Sequence, residues 1–250
     1  MNIMIFDTET TSLDKPFCYN VGYQIVDAES EKVLVARDYV VEQVWHNLPL
    51  FSSAYYADKR PIYVARMRSH HVIMDKFGYI CRQMARDIRN YNVEHAYAYN
   101  SSFDEKVFNF NCDWYKCNNP FDTIQIHDIR GYAHQFICNE ESYRAYCEEN
   151  DLYTESGNYS STAEAVYRFI SGDDDFNEEH TALNDSIIET FILIHALNLG
   201  ADITMDYKTY RSLERKIQRT LHIRTAEQTD YYFDYEKIRI NREKTEVTLK

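Results

Sequence analysis

The amino-terminal segment of the chain, residues 1–14, reads MNIMIFDTETTSLD and joins a short apolar run to a cluster of acidic and hydroxyl side chains. Residues 3–7 favour a β-strand, because they are mostly apolar and a polar cluster follows immediately. Side chains alternate between the faces of a strand, so Asp7 and Glu9 are predicted to point the same way. Two like charges side by side cost free energy unless a cation neutralises them, and hard divalent cations do this well. Taken alone, the pair also fits a strand that ends in solvated acids.

The segments that follow predict a mixed sheet with helices around it. Residues 20–27 and 33–41 resemble strands and come soon after the first, which predicts an antiparallel meander. Later segments alternate between helical periodicity and strand-like runs. The predicted helices are 73–88, 103–110, 141–149, 163–170 and 183–197, and the predicted strands among them are 95–99 and 121–126. Strands first and then alternating helices indicate an α/β fold in which helices flank a mixed β-sheet.

The composition describes a foldable chain and limits its function. Of the 250 residues 44% are hydrophobic and 27% charged, with a formal net charge of −13. That charge argues against a broad basic surface for nucleic acid, but an enzyme that binds divalent metal ions needs clustered carboxylates. No apolar run approaches the roughly 18 residues needed to cross a bilayer, and Met1 leads directly into the first strand. We therefore predict no membrane association and a cytoplasmic location.

The six cysteines form no C-x-x-C pair and read as reduced thiols of a cytosolic protein. The nearest approach to a metal motif is the spacing of Cys112 and Cys117, with His127 further on. Buried free cysteine is the commoner fate of such residues. A protein built around a structural zinc ion is therefore only an alternative interpretation, and it predicts zinc in the purified protein.

Residues 6–14 carry the first of three motifs that resemble a known family. The segment FDTETTSLD resembles the first motif of the DEDD superfamily of 3′–5′ exonucleases, usually written D-x-E-T-T-G, with Ser12 where the family commonly has Gly. Residues 98–108, AYNSSFDEKVF, are similar to the family's N-x-x-F-D pattern. Their Asp104 follows a predicted strand, where crevice residues of an open α/β sheet gather, and would supply a third carboxylate. By itself, Asp104 would read as an acid favoured at a helix N-terminus.

The third motif is HTALND, residues 180–185, and it looks like the H-x-x-x-x-D signature of the histidine-type, or DEDDh, branch. The tyrosine-type branch has Tyr-x-x-x-Asp, and no tyrosine stands at Thr181 or Ala182. Five residues on an α-helix turn by about 500°, which leaves His180 and Asp185 about 140° apart. Both side chains therefore reach one site only if His180 lies in the loop before the helix.

The resemblance covers residues 1–200 and implies a ribonuclease H-like fold, which is a mixed β-sheet flanked by helices. It implies two ions of Mg²⁺ or Mn²⁺ per site and the release of nucleoside 5′-monophosphates from a free 3′ end. The catalytic residues that it implies are Asp7, Glu9, Asp104, His180 and Asp185, with the four carboxylates as metal ligands and His180 as the general base. The residues expected to contact nucleic acid are Thr8, Thr10, Leu13, Asn100 and Phe103.

Several functional alternatives stay open at this point. DNA is the preferred substrate, because residues 6–13 look most like the proofreading subunit of bacterial DNA polymerase III. The composition, rich in Tyr and Asn, and the small size of the chain suggest that a phage or a mobile element encodes it. The same motifs serve ribonuclease T and oligoribonuclease, so an RNA substrate is a second reading. A non-catalytic module that binds a polymerase or another partner is a third. Asp122, in a segment that resembles a strand of the proofreading subunit, is interpreted either as structural or as a residue that supports the catalytic ones, and it is not counted among them.

Positive charge that could hold a nucleic-acid strand is concentrated in two stretches. Single strands are held by stacking and by positive charge along the backbone. The first stretch contains Lys59, Arg60, Tyr63, Arg66 and Arg68. The second contains Lys208, Arg211, Arg215, Lys216 and Arg219. A solvated loop explains the first at least as well, and pairs with Glu214 and Asp206 explain the second.

The chain changes character after Gly200. Residues 207–222 predict a basic helix, and residues 231–235, 238–240 and 247–249 predict short strands. We therefore divide the chain into a main domain, residues 1–200, identified by the resemblance as an exonuclease domain, and a small helix/β extension, residues 201–250. A replication or repair partner that docks on this extension is the hypothesis for its role.

Overall fold

The computed structural model describes residues 1–207 in full and, beyond them, the backbone of four short strands between residues 220 and 249. Six strands form one mixed sheet in the order β4-β3-β2-β1-β5-β6. They are β1 (Asn2–Thr10), β2 (Cys18–Asp27), β3 (Lys32–Val41), β4 (Ile73–Asp75), β5 (His95–Ala98) and β6 (Gln125–Asp128). The first three strands pair antiparallel, which confirms the predicted meander, and β4, β5 and β6 each run parallel to a neighbour.

Nine helices of the described region flank this sheet and confirm the predicted α/β class. They are α1 (Glu42–Trp45), α2 (Leu48–Phe51), α3 (Arg60–Arg68), α4 (Phe77–Asn90), α5 (Ser101–Tyr115), α6 (Ile129–Ala133), α7 (Glu141–Glu149), α8 (Ala163–Ser171) and α9 (Ala182–Asn198). A 3₁₀ turn, Ala57–Lys59, precedes α3, and a π-helical turn, His134–Cys138, follows α6. Within the part of the chain that the structure describes, none of the helices is both long and apolar enough to span a membrane.

Three predicted elements have wrong boundaries. The predicted helix 103–110 is too short, because α5 spans Ser101–Tyr115. The predicted helix 73–88 begins only at Phe77, because residues 73–75 pair with β3 as strand β4 and the Phe77 N–H donates to Gln43 Oε1. The predicted strand 121–126 begins only at Gln125, because residues 121–124 form a turn that the side chain of Asn119 caps through the Phe121 N–H. At Phe77 and at Phe121, a side-chain hydrogen bond to the backbone N–H stands where one backbone conformation ends and another starts; its acceptor is distant in sequence in the first case and local in the second.

Two apolar cores lie on opposite faces of the sheet, and β1 contributes to both. Met4 and Phe6 pack in the core that contains the buried residues of α4 and α5, where the Phe6 and Phe108 rings lie 5.7 Å apart. Ile3 and Ile5 pack in the other core, which contains the buried residues of α9. The alternation of side chains along a strand therefore decides which helix each residue of β1 meets.

Residues 201–207 continue along the main domain. Tyr132 Oη donates to the Met205 carbonyl at 2.6 Å, and the Tyr207 ring packs against Tyr132 with centroids 4.8 Å apart. The last four strands, β7 (Thr220–Arg224), β8 (Asp230–Asp234), β9 (Ile238–Asn241) and β10 (Glu246–Leu249), form two antiparallel pairs. The division of the chain at residue 200 stays a prediction.

The three short strands predicted in the extension are confirmed in β8, β9 and β10. The predicted basic helix 207–222 is wrong at its end, because Thr220 and the two residues after it belong to β7. The rest of that segment, 208–219, lies outside the described residues, and so do the five basic side chains assigned to it.

Candidate active site

Three of the predicted carboxylates converge where β1 ends. Asp7 and Glu9 lie two positions apart on β1, and Asp185 lies in the first turn of α9. One carboxylate oxygen from each residue lies within 4.8 Å of the other two. The structure therefore brings together two acids that are close in sequence and one that is distant from them in sequence.

The first turn of α9 reaches these acids because it lies directly on the backbone of β2. Gly22 pairs with Asp7 in the sheet, and a Cβ atom added to it would lie 2.0 Å from the Leu183 nitrogen. Only a glycine leaves room for such an approach. Asn20 fixes the same turn, because its Oδ1 accepts from the Ala182 N–H at 2.8 Å. Asp185 is therefore placed by the backbone of the neighbouring strand.

Asp104 approaches the site from the opposite face of the sheet. It lies in the first turn of α5, is almost fully buried, and accepts a hydrogen bond from Thr8 Oγ1 at 2.7 Å. Its charge raises the pKa of Asp7, so the two carboxyl groups lie close enough to interact. Asp104 stands outside the three-carboxylate group and next to it.

Burial raises the pKa values of all four acids. It is the largest cause that raises the pKa of Asp185 to about 9, of Glu9 to about 8 and of Asp104 to about 7. The pKa of Asp7 lies well above its ordinary value, first because of burial and then because of the charges on its neighbours. A carboxylate taken out of water needs a compensating positive charge to stay ionised.

Two buried carboxylate oxygens in this region are unpaired. Among the described residues, neither Asp185 Oδ1 nor Glu189 Oε2 has a hydrogen-bond partner. Buried acceptors are nearly always satisfied, so each unpaired oxygen indicates a missing ligand or water. Oxygen ligands that converge and carry negative charge are the donor set of Mg²⁺ and Mn²⁺. The residues of this site therefore fit a hard divalent cation.

Glu189 is a site residue that the sequence reasoning missed. It lies on α9 one turn after Asp185, is 3% exposed, and its charge raises the pKa of Asp7. Residues four apart on a helix share one face, so the spacing to Asp185 was the signal that could have found it. Glu178 and Tyr56 were also missed. Their place in the site follows from their contacts with His180.

His180 lies in the loop before α9, with a left-handed backbone (φ 54°), as the spacing to Asp185 requires. Its ring stacks on Tyr56 with centroids 4.4 Å apart, and its Nδ1 lies 3.7 Å from Glu178 Oε2. Burial and the nearby Lys59 lower the pKa of His180, so the imidazole is neutral at neutral pH.

Glu178 connects the histidine to the three-carboxylate group. Burial raises the pKa of Glu178 to about 7, and its charge in turn raises the pKa values of Glu9 and Asp185. With His180 and Glu164 it forms a second cluster whose ligand atoms lie within 4.8 Å of one another. His180 thus borders the carboxylates through Glu178.

The predicted basic stretch mostly supports the fold. Arg66 Nη2 donates to both carboxylate oxygens of Glu179, at 2.8 and 2.9 Å, and its Nη1 donates to Thr181 Oγ1 at 3.1 Å. Arg60 lies over the Trp45 ring at 4.0 Å, and Tyr63 is fully buried. Arg66 therefore holds the loop that carries His180, while Arg68 is exposed. Arg60, Tyr63 and Arg66 lie on α3 with packed or paired side chains, so the alternative interpretation of this stretch as solvated is wrong for them.

The residues predicted to contact nucleic acid surround the carboxylates in different ways. Thr8 is buried, and its hydroxyl donates a hydrogen bond to Asp104. Leu13 is 74% exposed, and its carbonyl accepts a hydrogen bond from Lys106 Nζ at 2.6 Å. Thr10 Oγ1 donates to the Ser12 carbonyl at 3.4 Å. Asn100 and Phe103 lie at the start of α5, close to Asp104 in sequence.

Ser12, Asp122 and His127 lie outside the group of catalytic carboxylates. Ser12 stands in a common glycine position, yet it is not among the residues of 1–207 with a positive φ, so serine fits without backbone strain. Asp122 is exposed in a turn. His127 lies apart from the cysteines, because its Nδ1 pairs with Asp206 at 2.6 Å and its Nε2 with His95 at 2.9 Å.

Comparisons with known proteins identify the fold. No protein-family model matches the sequence, and no curated protein matches it significantly. The nuclease domain of 3′hExo, a DEDDh family member bound to rAMP, is similar with a TM-score of 0.54 and 13% identity. The alignment covers 83% of this chain and 97% of that domain. A 3′-exonuclease from a structure on the 3′-end-specific recognition of histone mRNA stem-loop gives a TM-score of 0.55 at 12% identity, over 80% of this chain and 82% of that one.

A full-length 3′-exonuclease gives a TM-score of 0.52 at 12% identity, over 79% of this chain and 60% of that one. At such identities the similarity describes the fold. It confirms the predicted ribonuclease H-like class with an α/β sheet. This chain therefore has the fold of the DEDDh 3′–5′ exonucleases.

Proposed function

We propose that this chain is a metal-dependent 3′–5′ exonuclease that hydrolyses the terminal phosphodiester of a nucleic acid and releases nucleoside 5′-monophosphates. One observation carries the proposal: Asp7, Glu9 and Asp185 converge where β1 ends, with Asp104 beside them, on the fold of DEDDh exonucleases. A protein that needed only this fold would gain nothing from four clustered acids whose charges repel one another, two of them, Asp104 and Asp185, buried.

Asp7, Glu9 and Asp185 would hold the divalent cations, Mg²⁺ or Mn²⁺, and Asp104 would complete the set for a second ion. Bound there, such ions would supply the Lewis acidity that lowers the pKa of an attacking water and offsets the charge on the leaving 3′ oxygen. The protein positions these ligands itself. Thr8 holds Asp104 through a hydrogen bond, and Gly22 leaves room for the first turn of α9, which carries Asp185. Glu189 adds negative charge beside these ligands.

His180 would act as the general base. A neutral imidazole accepts a proton, and its lowered pKa keeps His180 neutral at neutral pH. Nδ1 faces the Glu178 carboxylate at 3.7 Å, which leaves Nε2 to take the proton of the attacking water. Tyr56 limits the rotation of the ring by stacking on it, and Arg66 anchors the loop on both sides of His180 through Glu179 and Thr181.

The substrate is a nucleic-acid strand with a free 3′ end. Leu13 and Thr10 lie after the carboxylates on one side and Asn100 and Phe103 lie at the start of α5, so we assign contacts with the terminal nucleotides to them. DNA is the preferred substrate on the likeness of residues 6–13 to the proofreading branch. RNA is the second candidate, because the solved structures with this fold include one bound to rAMP and one concerned with a histone mRNA stem-loop.

The test is a denaturing-gel time course with 5′-labelled single-stranded DNA and RNA of the same sequence, in Mg²⁺, in Mn²⁺ and in EDTA. We expect a ladder that shortens from the 3′ end only with metal. Asp7→Asn should lower the rate by about 10³-fold or more, since several kcal/mol of transition-state stabilisation is lost. Asp122→Asn removes an exposed carboxylate outside the site and should leave the rate unchanged.

Two outcomes contradict parts of the proposal. If neither polymer is cleaved with any metal, the chain is not an exonuclease, and the non-catalytic binding module becomes the better interpretation. If only RNA is shortened, the exonuclease stands and the preference for DNA is wrong.

A further inference from the structure

Three cysteines from two segments of the sequence meet between two helices. Cys81 lies on α4, Cys112 lies on α5, and Cys117 follows α5 after one residue. Their three sulfur atoms lie within 4.8 Å of one another. Cys81 and Cys112 are buried and Cys117 is partly exposed. We refer to these three residues as the cysteine cluster.

The backbone after α5 is shaped to bring two members of the cysteine cluster together. Lys116 adopts the left-handed conformation (φ 54°), which ends the helix and turns the chain back. The Cys117 N–H then donates to the Cys112 carbonyl at 3.1 Å. The side chain of Cys117 is thereby directed to the same place as that of Cys112.

A glycine on α4 makes room for the third contact. Gly78 lies one turn before Cys81, so both face the same neighbour. A Cβ atom added to Gly78 would lie 3.2 Å from the Cys117 Cβ and 3.7 Å from its sulfur. Cys117 therefore packs directly on the backbone of α4 and reaches the sulfur of Cys81.

Cationic side chains surround the open side of the cysteine cluster. A cavity of about 610 Å³ borders Cys81 and Cys117. Its basic lining residues are Arg82, Arg86, Arg89 and Lys116. Positive charges next to a thiol favour its deprotonated form, which is the form that binds metal ions.

We propose that Cys81, Cys112 and Cys117 form a binding site for one Zn²⁺ ion, with three thiolate ligands and a solvent molecule from the cavity as the fourth. Tetrahedral zinc with Zn–S bonds of about 2.3 Å places its sulfurs about 3.8 Å apart, so small side-chain rotations suffice. Binding releases three protons from three thiols and leaves a site of net charge −1. The four basic side chains of the cavity offset that charge.

This site differs from the carboxylate site in the cation that it selects. Thiolates prefer soft and borderline cations such as Zn²⁺, whereas carboxylates prefer Mg²⁺ and Mn²⁺. The cysteine cluster joins α4 to α5, and α5 carries Asp104 in its first turn. The zinc ion would thus fix the end of the helix opposite to the catalytic residue, in a site that does not depend on the proposed exonuclease activity.

Cobalt titration tests the proposal, because only thiolate ligands give Co²⁺ a strong near-ultraviolet charge-transfer band. We expect the reduced, metal-free full chain to bind one equivalent of Co²⁺ with this band and Zn²⁺ to displace it. Cys117→Ser should abolish the band, and Cys138→Ala, outside the cluster, should keep it. Circular dichroism checks that both variants are folded.

A second measurement needs no variant. In the wild-type chain, Zn²⁺ should slow the alkylation of Cys117 by iodoacetamide at least tenfold, as followed by mass spectrometry, and Mg²⁺ should not. The proposal is overturned by a titration without the thiolate band, by a band that survives Cys117→Ser, or by alkylation that Zn²⁺ does not slow.

Discussion

On one face of the sheet, α9 brings Asp185 to Asp7 and Glu9, and on the other face α4 and α5 bring three cysteines together. Both groups gather side chains from distant segments, and both depend on a glycine that lets backbones approach, Gly22 in one case and Gly78 in the other. They differ in the energetic cost of the assembly. Buried carboxylates repel one another, whereas neutral thiols pack as small apolar groups.

The carboxylate site needs a cation, whereas for the cysteine cluster a cation is optional. Burial and mutual repulsion raise the pKa values of the carboxylates to about 7, 8 and 9, so this face is under electrostatic strain without a cation. The cysteine cluster is compatible with a fold that lacks metal, since protonated thiols carry no charge. We therefore expect perturbations on the carboxylate face to have the larger effects.

The largest expected effect comes from His180→Ala. Loss of a general base lowers kcat by about 10²–10⁴-fold, whereas binding of Mn²⁺ should persist because the carboxylates remain. Single-turnover rates on a labelled oligonucleotide and calorimetric Mn²⁺ titrations check the two halves of this prediction. His71→Ala, on an exposed histidine, is the control and should retain the rate. A His180→Ala variant that cleaves normally would assign the base to another group.

The two glycines allow a direct comparison of the two faces. Gly22→Ala should destabilise the chain by about 3 kcal/mol or more, because its Cβ would lie 2.0 Å from the Leu183 nitrogen and neither backbone can yield. Gly78→Ala should change stability by less than about 1 kcal/mol, because the 3.2 Å contact is offset by better helix propensity. Urea unfolding measures both. Equal effects would show that the approach of α9 is not the more constrained one.

The effect of metal on stability should depend on pH. Asp185, Glu9 and Asp104 have raised pKa values, so the folded state holds protons that the unfolded chain releases above about pH 4. Stability without metal should therefore fall as pH rises from about 4 through 9. Mn²⁺ replaces these protons, so its stabilising effect should be larger at pH 8.5 than at pH 6.

The expected size of the metal effect follows from mass action. Mn²⁺ at 100 times its Kd adds about 2.7 kcal/mol, which raises the Tm by about 5–10 °C in a chain of this size. Thermal unfolding in EDTA and in Mn²⁺ at both pH values gives the measurement. Asp185→Asn should reduce the difference between them. A metal-free Tm that increases across this pH range would contradict the electrostatic argument.

Thr8→Val should have the smallest effect on this face. The substitution removes the hydrogen bond from Thr8 Oγ1 to Asp104. In the wild-type chain this hydrogen bond holds Asp104 in place and lowers the pKa of its carboxyl group. The loss of about 1 kcal/mol corresponds to a fall in kcat of about five- to tenfold. Thr8→Ser keeps the hydroxyl and should restore the rate. If Thr8→Ser fails where the fold is intact, the methyl group rather than the hydrogen bond positions Asp104.

Much of the fold could be predicted because its signals are local. The meander β1–β3 follows from alternation along the chain, and α7, α8 and α9 follow from apolar periodicity. The boundaries failed where a single side chain ends an element, as Gln43 does before α4 and Asn119 does before β6. Such hydrogen bonds join residues that no periodicity relates, so the pattern of the sequence does not contain them.

By itself, the sequence determined that Asp7 and Glu9 share one face of a strand end, since side-chain alternation is a property of the backbone. It also required a loop at His180. Only the tertiary structure decided that Glu189 and Glu178 border these acids, that Arg66 supports the histidine loop, and that Cys81 joins Cys112 and Cys117. These neighbours depend on how closely each helix lies on the sheet or on another helix. Gly22 permits the approach of α9 to β2, and Gly78 permits the approach of Cys117 to α4.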